Sequence, residues 1–189
     1  MIMKYFKKLI GKKCYLSPIN IEDAEKYCDW LNDLEVGINL LTFSQQLSLE
    51  REKNILKDMV NNNSLIFAII ESDSDELIGN CSIFRVSQLN RKAEVGIFIG
   101  DKHFWGKGYG TEALSLLVDY GFNILNLNSI MLEVFSYNDR AIKCYKKVGF
   151  KEIGRRREAL IRAGKKYDEI YMDILAAEFK SIYIKNFMK

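Results

Sequence analysis

The stretch HFWGKGYGTEA, residues 103–113, carries three glycines at alternate positions, Gly106, Gly108 and Gly110. Glycine is a poor residue for strand or helix interiors, so this spacing indicates a backbone that must stay free of side chains. The apolar residues that follow recur at helical spacing and predict a helix from about Gly108 to Asn123. A glycine-rich turn before a helix exposes successive N–H groups, and the helix dipole adds to them, which is typical of phosphate binding.

Two nucleotide-binding motifs share this physics but differ in spacing. A P-loop requires G-x-x-x-x-G-K-[ST], whereas Gly100 and Gly106 are one residue too far apart and Gly108 stands where Ser or Thr should coordinate magnesium. Residues 108–113 match the dinucleotide fingerprint G-x-G-x-x-G/A, but that fold needs an acidic residue about 20 positions later, ending the next strand. Glu133 lies farther on and within its strand. A nicotinamide-dependent oxidoreductase therefore stays only an alternative, as does a tight turn without a ligand.

Length and composition restrict the class of protein. The chain has 189 residues, 48% hydrophobic and 28% charged, which predicts a single domain over residues 1–189. A net charge of +3 is lower than that of most nucleic-acid-binding domains.

Four scattered cysteines and one histidine argue against a zinc site and favour reduced thiols in the cytoplasm. The longest apolar run, residues 65–70, is too short to span a membrane, and lysines interrupt the apolar N-terminal residues. We therefore expect a cytoplasmic protein with no metal, nucleic-acid or membrane partner.

The order of predicted elements is mixed α and β, with strand and helix alternating in the second half. Seven strands are predicted, at residues 13–17, 64–71, 76–86, 93–100, 129–135, 150–161 and 165–175. Helices are predicted at residues 21–32, 48–61, 108–123 and 138–148, with a short terminal helix at 176–187.

Two motifs together carry a resemblance to a known family. WGKGYGTEAL, residues 105–114, and LEVFSYNDRAIKCYKKVGFKEIG, residues 132–154, resemble the GNAT superfamily of acetyl-CoA-dependent N-acetyltransferases, most of all its ribosomal-protein (Rim-type) and spermidine branches. Similarity extends over nearly the whole chain. Trp105 stands where the superfamily has Gln or Arg, as is familiar in the Rim-type branch. The resemblance implies an α/β (mixed α+β) fold whose seven-stranded, mostly antiparallel sheet is splayed between its fourth and fifth strands and flanked by helices.

The resemblance also implies where acetyl-CoA binds. The backbone at 107–110 would hold the pyrophosphate, with the Thr111 hydroxyl adding a contact, and pantetheine would pair with the strand at 97–99. Asn138 would start the next helix and hydrogen-bond the pantetheine arm. The implied cofactor-binding residues are Ile97, Phe98, Ile99, Trp105, Gly106, Lys107, Gly108, Tyr109, Gly110, Thr111, Asn138 and Tyr145.

Acetyl transfer needs a neutral amine and a proton for the leaving thiolate. Tyr145 matches the family's tyrosine in N-x-x-A-x-x-x-Y and is the expected acid; it lies two helical turns after Asn138, so both should project from one face. Glu94, at the start of the splayed strand, is the expected base, and Glu133, inside an apolar strand, is the second candidate. Burial near apolar surface would raise the pKa of either carboxyl toward neutrality, as a base requires.

The expected reaction is direct attack by a primary amine in a ternary complex, because the spacing offers no Cys–His pair for an acyl-cysteine. The acceptor stays open between a protein N-terminal amine and a small amine such as a polyamine, for which Glu22, Asp23, Asp33 and Glu35 offer acidic side chains. The alternative is an inactive acyl-CoA sensor. A homodimer is possible, and His103 is expected to be a solvated loop residue.

Overall fold

A computed structural model describes residues 4–40, 44–181 and 183–184. Its strands are β1 Leu9–Ile10, β2 Cys14–Pro18, β3 Leu65–Glu71, β4 Leu77–Ser87, β5 Lys92–Ile99, β6 Ser129–Phe135, β7 Lys151–Arg162 and β8 Lys165–Leu175. Its α-helices are α1 Ala24–Asn32, α2 Leu34–Gly37, α3 Leu49–Asn61, α4 Tyr109–Asn123 and α5 Asp139–Val148.

The sheet is mixed, as expected, and its strand order is β1-β2-β3-β4-β5-β6-β8-β7. It has eight strands in the described part of the chain rather than seven, because Leu9 and Ile10 form an edge strand against Leu16 and Tyr15. Two residues are too few to produce a strand periodicity, so this strand could not be predicted. β5 pairs with β6 in parallel, whereas β2–β3, β6–β8 and β7–β8 are antiparallel.

The chain divides into two compact units. The first is Met1–Ser82 with Ile97–Ala113, and the second is Ile83–Gly96 with Leu114–Lys189. The single domain over residues 1–189 stays a prediction.

An aromatic core positions the C-terminal part of β5 in the first unit. The ring of Trp30 meets the rings of Tyr27 and Phe98 edge to face, with centroids 5.7 and 6.3 Å away. A Cβ on Gly100 would lie 2.1 Å from Trp30 Cδ2, and one on Gly79 would lie 2.2 Å from the Phe98 carbonyl oxygen. Both glycines are therefore required by packing around the strand end that leads into the glycine-rich loop.

The core of the second unit follows from strand alternation. One face of β6 and β8 buries three cross-strand pairs, Ile130–Ile174, Leu132–Met172 and Val134–Ile170. Burial of each aliphatic side chain contributes about 2 kcal/mol. The opposite face of the same strands carries polar side chains, among them Glu133, Glu169 and Tyr171. The fold thus presents carboxylates on one face of a sheet whose other face is core.

The residues that the structure describes do not form the helix predicted at 176–187: 176–178 are a turn, 179–181 are irregular, 183 is a bend and Ile184 is in a 3₁₀ conformation. Asp119 on α4, which is fully buried, binds this segment. Its carboxylate accepts hydrogen bonds from the Ser181 hydroxyl at 2.7 Å and from the Tyr183 and Ile184 amides at 3.1 Å. These contacts hold the described part of the C-terminal segment against α4. Positions 182 and 185–187 lie outside the described residues.

Candidate active site

The glycine-rich loop has the backbone that only glycine adopts readily. Gly106 has φ +72° and Gly108 has φ +93°, both in the left-handed region. A Cβ on Gly106 would meet no heavy atom within 4 Å, and one on Gly108 would meet only Lys13, at 3.9 Å. Both glycines therefore serve the backbone conformation and leave open surface, whereas Gly110 lies in the first turn of α4. A bare loop that opens onto a helix N-terminus fits a bound pyrophosphate.

Side chains fix the loop at both of its ends. At its start the Trp105 indole Nε1 donates a 2.7 Å hydrogen bond to the Ile99 carbonyl. This carbonyl belongs to the strand end with which the family resemblance implies that pantetheine pairs. At its end the Tyr109 hydroxyl donates to Glu71 Oε1 at 3.2 Å. Burial acts to raise the pKa of Glu71, but hydrogen bonds from Ser74 and Asp73 outweigh it and hold that pKa below its usual value. A charged acceptor thus holds the first residue of α4.

Glu112, in the first turn of α4, binds the turn between β1 and β2. Its carboxylate accepts hydrogen bonds from the backbone amides of Lys12, Lys13 and Cys14 at 3.0, 2.7 and 3.0 Å. Burial and the charge of Glu112 raise the pKa of the Cys14 thiol, which keeps it protonated and unreactive. This contact was not predicted, because its partners lie about a hundred positions apart in the sequence.

A second group of predicted residues lies on α5, in the second unit. Asn138 is the N-cap, as expected, and its Oδ1 accepts a 3.1 Å hydrogen bond from the Ala141 amide. Gly149 ends the helix with φ +116°. Tyr145 is buried, and burial raises its pKa well above the usual value, so the phenol stays protonated at neutral pH. Its hydroxyl forms no hydrogen bond within the described part of the chain.

The two candidate bases have different environments in the second unit. Glu94 Oε2 lies 2.8 Å from Arg85 Nη1, so the expected base has a guanidinium partner. Burial, followed by the charges of Glu169 and Glu94, raises the pKa of Glu133. Glu169 in turn accepts a 2.9 Å hydrogen bond from the Tyr171 hydroxyl. The pKa of Glu133 is therefore shifted in the direction that a general base needs.

The structure thus collects the predicted residues in two groups. The first unit holds the strand end at 97–99 and the loop from 105 to 111. The second unit holds Glu94, Glu133 and α5 with its two candidates. Sequence reasoning missed three contacts: Lys13 with the loop, Glu71 with the first residue of α4, and Glu112 of α4 with the turn before β2. The acidic residue in the first turn of α4 is the one local signal for any of them.

The acidic residues suggested for an amine acceptor mostly have cationic partners. Lys102 Nζ lies 2.7 Å from Asp33 and 2.9 Å from Glu35. Lys4 Nζ lies 2.5 Å from Asp23, which is buried. Glu22 is exposed. Most of these carboxylates are therefore already neutralised within the first unit.

Other predictions concern side chains near the loop. The His103 side chain is 92% exposed, which confirms a solvated loop residue. Among the residues described, His, Cys, Asp and Glu side chains form no group able to hold a metal ion. Over the same residues, the helices are too short or too polar to cross a membrane.

Comparisons with known proteins agree with this geometry. Residues 13–151 match the family model described as an acetyltransferase (GNAT) domain. The uncharacterized N-acetyltransferase p20 of Bacillus licheniformis is 32% identical over 178 residues, which cover 90% of this chain and 97% of that protein. The spermidine N(1)-acetyltransferase of Vibrio cholerae is 29% identical over 132 residues, covering 70% and 76% of the two chains.

A solved structure shares the fold. The crystal structure of spermidine N-acetyltransferase from Vibrio cholerae in complex with CoA and spermine aligns with a TM-score of 0.79 at 24% identity, covering 89% of this chain and 98% of that one. With the match to the family model over most of the chain, the conclusion is direct: this protein belongs to the GNAT acetyltransferase family and is an enzyme of that family.

Proposed function

We propose that the enzyme transfers the acetyl group of acetyl-CoA to a primary amine by direct attack in a ternary complex. The observation that carries the proposal is the glycine-rich loop, with two glycines in the left-handed region directly before α4. A small amine such as a polyamine is the favoured acceptor, since a relative that covers 70% of this chain is named a spermidine acetyltransferase. A protein N-terminal amine is the alternative.

The loop backbone from Lys107 to Gly110 would hold the pyrophosphate, with Thr111 adding its hydroxyl. The strand end at 97–99 would hold the pantetheine arm, and Asn138 would hydrogen-bond it. When bound, acetyl-CoA supplies the thioester carbonyl that the amine attacks. Trp105 fixes the loop against the strand end through its hydrogen bond to the Ile99 carbonyl, which keeps the pyrophosphate-binding and pantetheine-binding parts of the surface in fixed positions.

Tyr145 is the proposed acid, which donates its hydroxyl proton to the departing thiolate. Burial raises the pKa of the phenol, so its proton is present at neutral pH, and the same shift makes the phenol a weaker acid than a tyrosine in water. The absence of a protein partner for its hydroxyl within the described residues supports the role, since the proton is not committed elsewhere.

Glu133 is the proposed base, which takes the proton of the attacking ammonium, directly or through water. Its raised pKa supports this role, because a carboxylate in water is too weakly basic to compete at neutral pH. Glu94 stays the alternative base. Its ion pair with Arg85 supports a different task, that of supplying negative charge beside Glu133.

The test is release of coenzyme A thiol from acetyl-CoA across a panel of amines: spermidine, spermine, an aminoglycoside, amino sugars and short peptides with free N-termini. A blank without acceptor is needed because the protein has four free cysteines. Release with one class of amine would support the transferase and identify its acceptor. Thermal stabilisation by acetyl-CoA without release would favour a sensor. Neither release nor stabilisation would overturn the interpretation of the loop.

The remaining expectations are proposals as well. A single domain over residues 1–189 and a cytoplasmic location rest on length and cysteine usage. A homodimer is a proposal to which the sequence itself gives no support, and size-exclusion chromatography with light scattering would test it.

A further inference from the structure

We propose that Lys13 is a phosphate-binding residue of the cofactor site and binds the pyrophosphate of acetyl-CoA. The inference rests on the proposed function, because it requires that the loop at 106–110 holds that group. Lys13 lies on the turn before β2, far from the loop in sequence, and neither of the two family motifs includes it.

The ammonium group of Lys13 lies beside the loop. Its Nζ donates a 2.9 Å hydrogen bond to the Lys107 carbonyl and lies 3.9 Å from the position of a Cβ on Gly108. It also lies 5.6 Å from the centroid of the Tyr109 ring. The charge of Lys13 therefore lies at the loop residues whose amides would bind the phosphates.

The charge of Lys13 is available to a ligand. An ammonium has three N–H donors, and one of them is used by the Lys107 carbonyl. Among the described residues no carboxylate forms an ion pair with Lys13 Nζ. A lysine beside a glycine-rich loop at a helix N-terminus has donors, charge and position to bind a phosphate oxygen as a point charge.

Glu112 and Ser72 fix the backbone from which Lys13 extends. The Lys13 amide donates to Glu112 Oε2 at 2.7 Å, and its carbonyl accepts from the Ser72 amide at 2.9 Å. A Cβ on Gly11 would lie 2.7 Å from Glu112 Cδ, so glycine allows the carboxylate to pack on this turn. Because Glu112 belongs to the first turn of α4, Lys13 is tied to the helix whose N-terminus follows the loop. This pre-ordering lowers the entropy cost of phosphate binding.

The experiment measures dissociation constants by calorimetry for CoA, 3′-dephospho-CoA and pantetheine with the wild type, Lys13→Met and Lys12→Met. Lys12→Met is the matched control, since it removes the same charge one position away. We expect Lys13→Met to weaken CoA and dephospho-CoA about tenfold, the effect of losing one charge-assisted hydrogen bond, and to leave pantetheine unchanged. Lys12→Met should leave all three affinities near those of the wild type. Thermal unfolding without ligand checks that each variant folds.

Three results would overturn the proposal, and a fourth would overturn the proposed function on which it rests. Unchanged CoA affinity in Lys13→Met would exclude the contact. Loss for CoA but not for dephospho-CoA would assign Lys13 to the 3′-phosphate instead of the pyrophosphate. Equal losses in Lys13→Met and Lys12→Met would mean a long-range effect of net charge. If the wild-type protein bound none of the three ligands, the proposed function would fail, and with it the premise about Lys13.

Discussion

The indole of Trp105 donates a 2.7 Å hydrogen bond to the carbonyl of Ile99, which ties the start of the glycine-rich loop to the last residue of β5. The relationship gives a reason for tryptophan at a position where the superfamily has Gln or Arg. A long planar donor spans back across the short 3₁₀ turn at Lys102–Phe104 to the strand end. The loop therefore begins from a fixed point on the sheet rather than from a flexible connection.

Trp105→Phe keeps an aromatic ring but removes this donor. A lost neutral hydrogen bond costs about 1 kcal/mol, so we expect the KM for acetyl-CoA to rise about fivefold because the loop is less well ordered. The value of kcat should change little, since the indole touches no reacting group. Steady-state kinetics with saturating acceptor measures both. A fall in kcat at constant KM would contradict a role in ordering the loop.

Local sequence signals account for much of the site. The loop could be predicted because the requirement for glycine at positions 106 and 108 is local, as their positive φ angles demonstrate. α4 begins one residue after the predicted start, and Asn138 and Gly149 bound α5 as expected. Capping residues and apolar periodicity act within a few positions of the chain, so a single sequence is enough to identify them.

Long-range partners could not be predicted. Nothing near Glu94 in the sequence identifies Arg85 as its counter-charge, and nothing near Tyr109 identifies Glu71. The first pair depends on how β4 and β5 are aligned, and the second on how the start of α4 packs on the end of β3. Amphipathic patterns specify neither at the level of single side chains. The same limit applies to the C-terminal segment, because Asp119, which binds its Ser181 hydroxyl, is more than fifty positions away.

Asp119→Asn tests how strongly the buried carboxylate holds the C-terminal segment. The buried carboxylate accepts bonds from the Ser181 hydroxyl and from two backbone amides, and an amide NH₂ in its place would face some of these donors. We expect a loss of about 2–3 kcal/mol in the free energy of unfolding, measured by urea titration. Ser181→Ala removes one donor and should cost about 1 kcal/mol. Equal losses in the two variants would mean that the backbone amides do not depend on the carboxylate.

Tyr145→Phe tests the proposed acid without removing packing volume from α5. General acid catalysis contributes about 10²–10⁴ in rate, so we expect kcat to fall by at least about a hundredfold. The affinity for CoA, measured separately by calorimetry, should stay close to that of the wild type. Because the tyrosine is buried, thermal unfolding serves as the control for its fold. Weaker CoA binding with little loss in kcat would instead make Tyr145 a binding residue.

The pH dependence of kcat/KM separates the two candidate bases. The rate should rise as the base loses its proton, so the midpoint of the rising limb follows the raised pKa of Glu133. Glu133→Gln should flatten that limb. Glu94→Gln removes a nearby negative charge and releases Arg85, and both changes lower the pKa of Glu133, so the limb should move to lower pH. A limb flattened by Glu94→Gln and kept by Glu133→Gln would assign the base to Glu94.

Gly108→Ala tests whether the loop needs its bare backbone for the ligand as well as for the fold. At φ +93° an alanine is strained, at a cost of roughly 1–2 kcal/mol, and its Cβ would project toward Lys13 on the open surface of the loop. Gly164, in the turn between β7 and β8, is the matched control, because it has φ +75° and equally open surroundings. We expect both alanine variants to lose similar stability in urea titrations, whereas only Gly108→Ala should weaken CoA binding, by at least about tenfold. If the two variants bound CoA equally well, the loop would not be the phosphate cradle, whatever their stabilities.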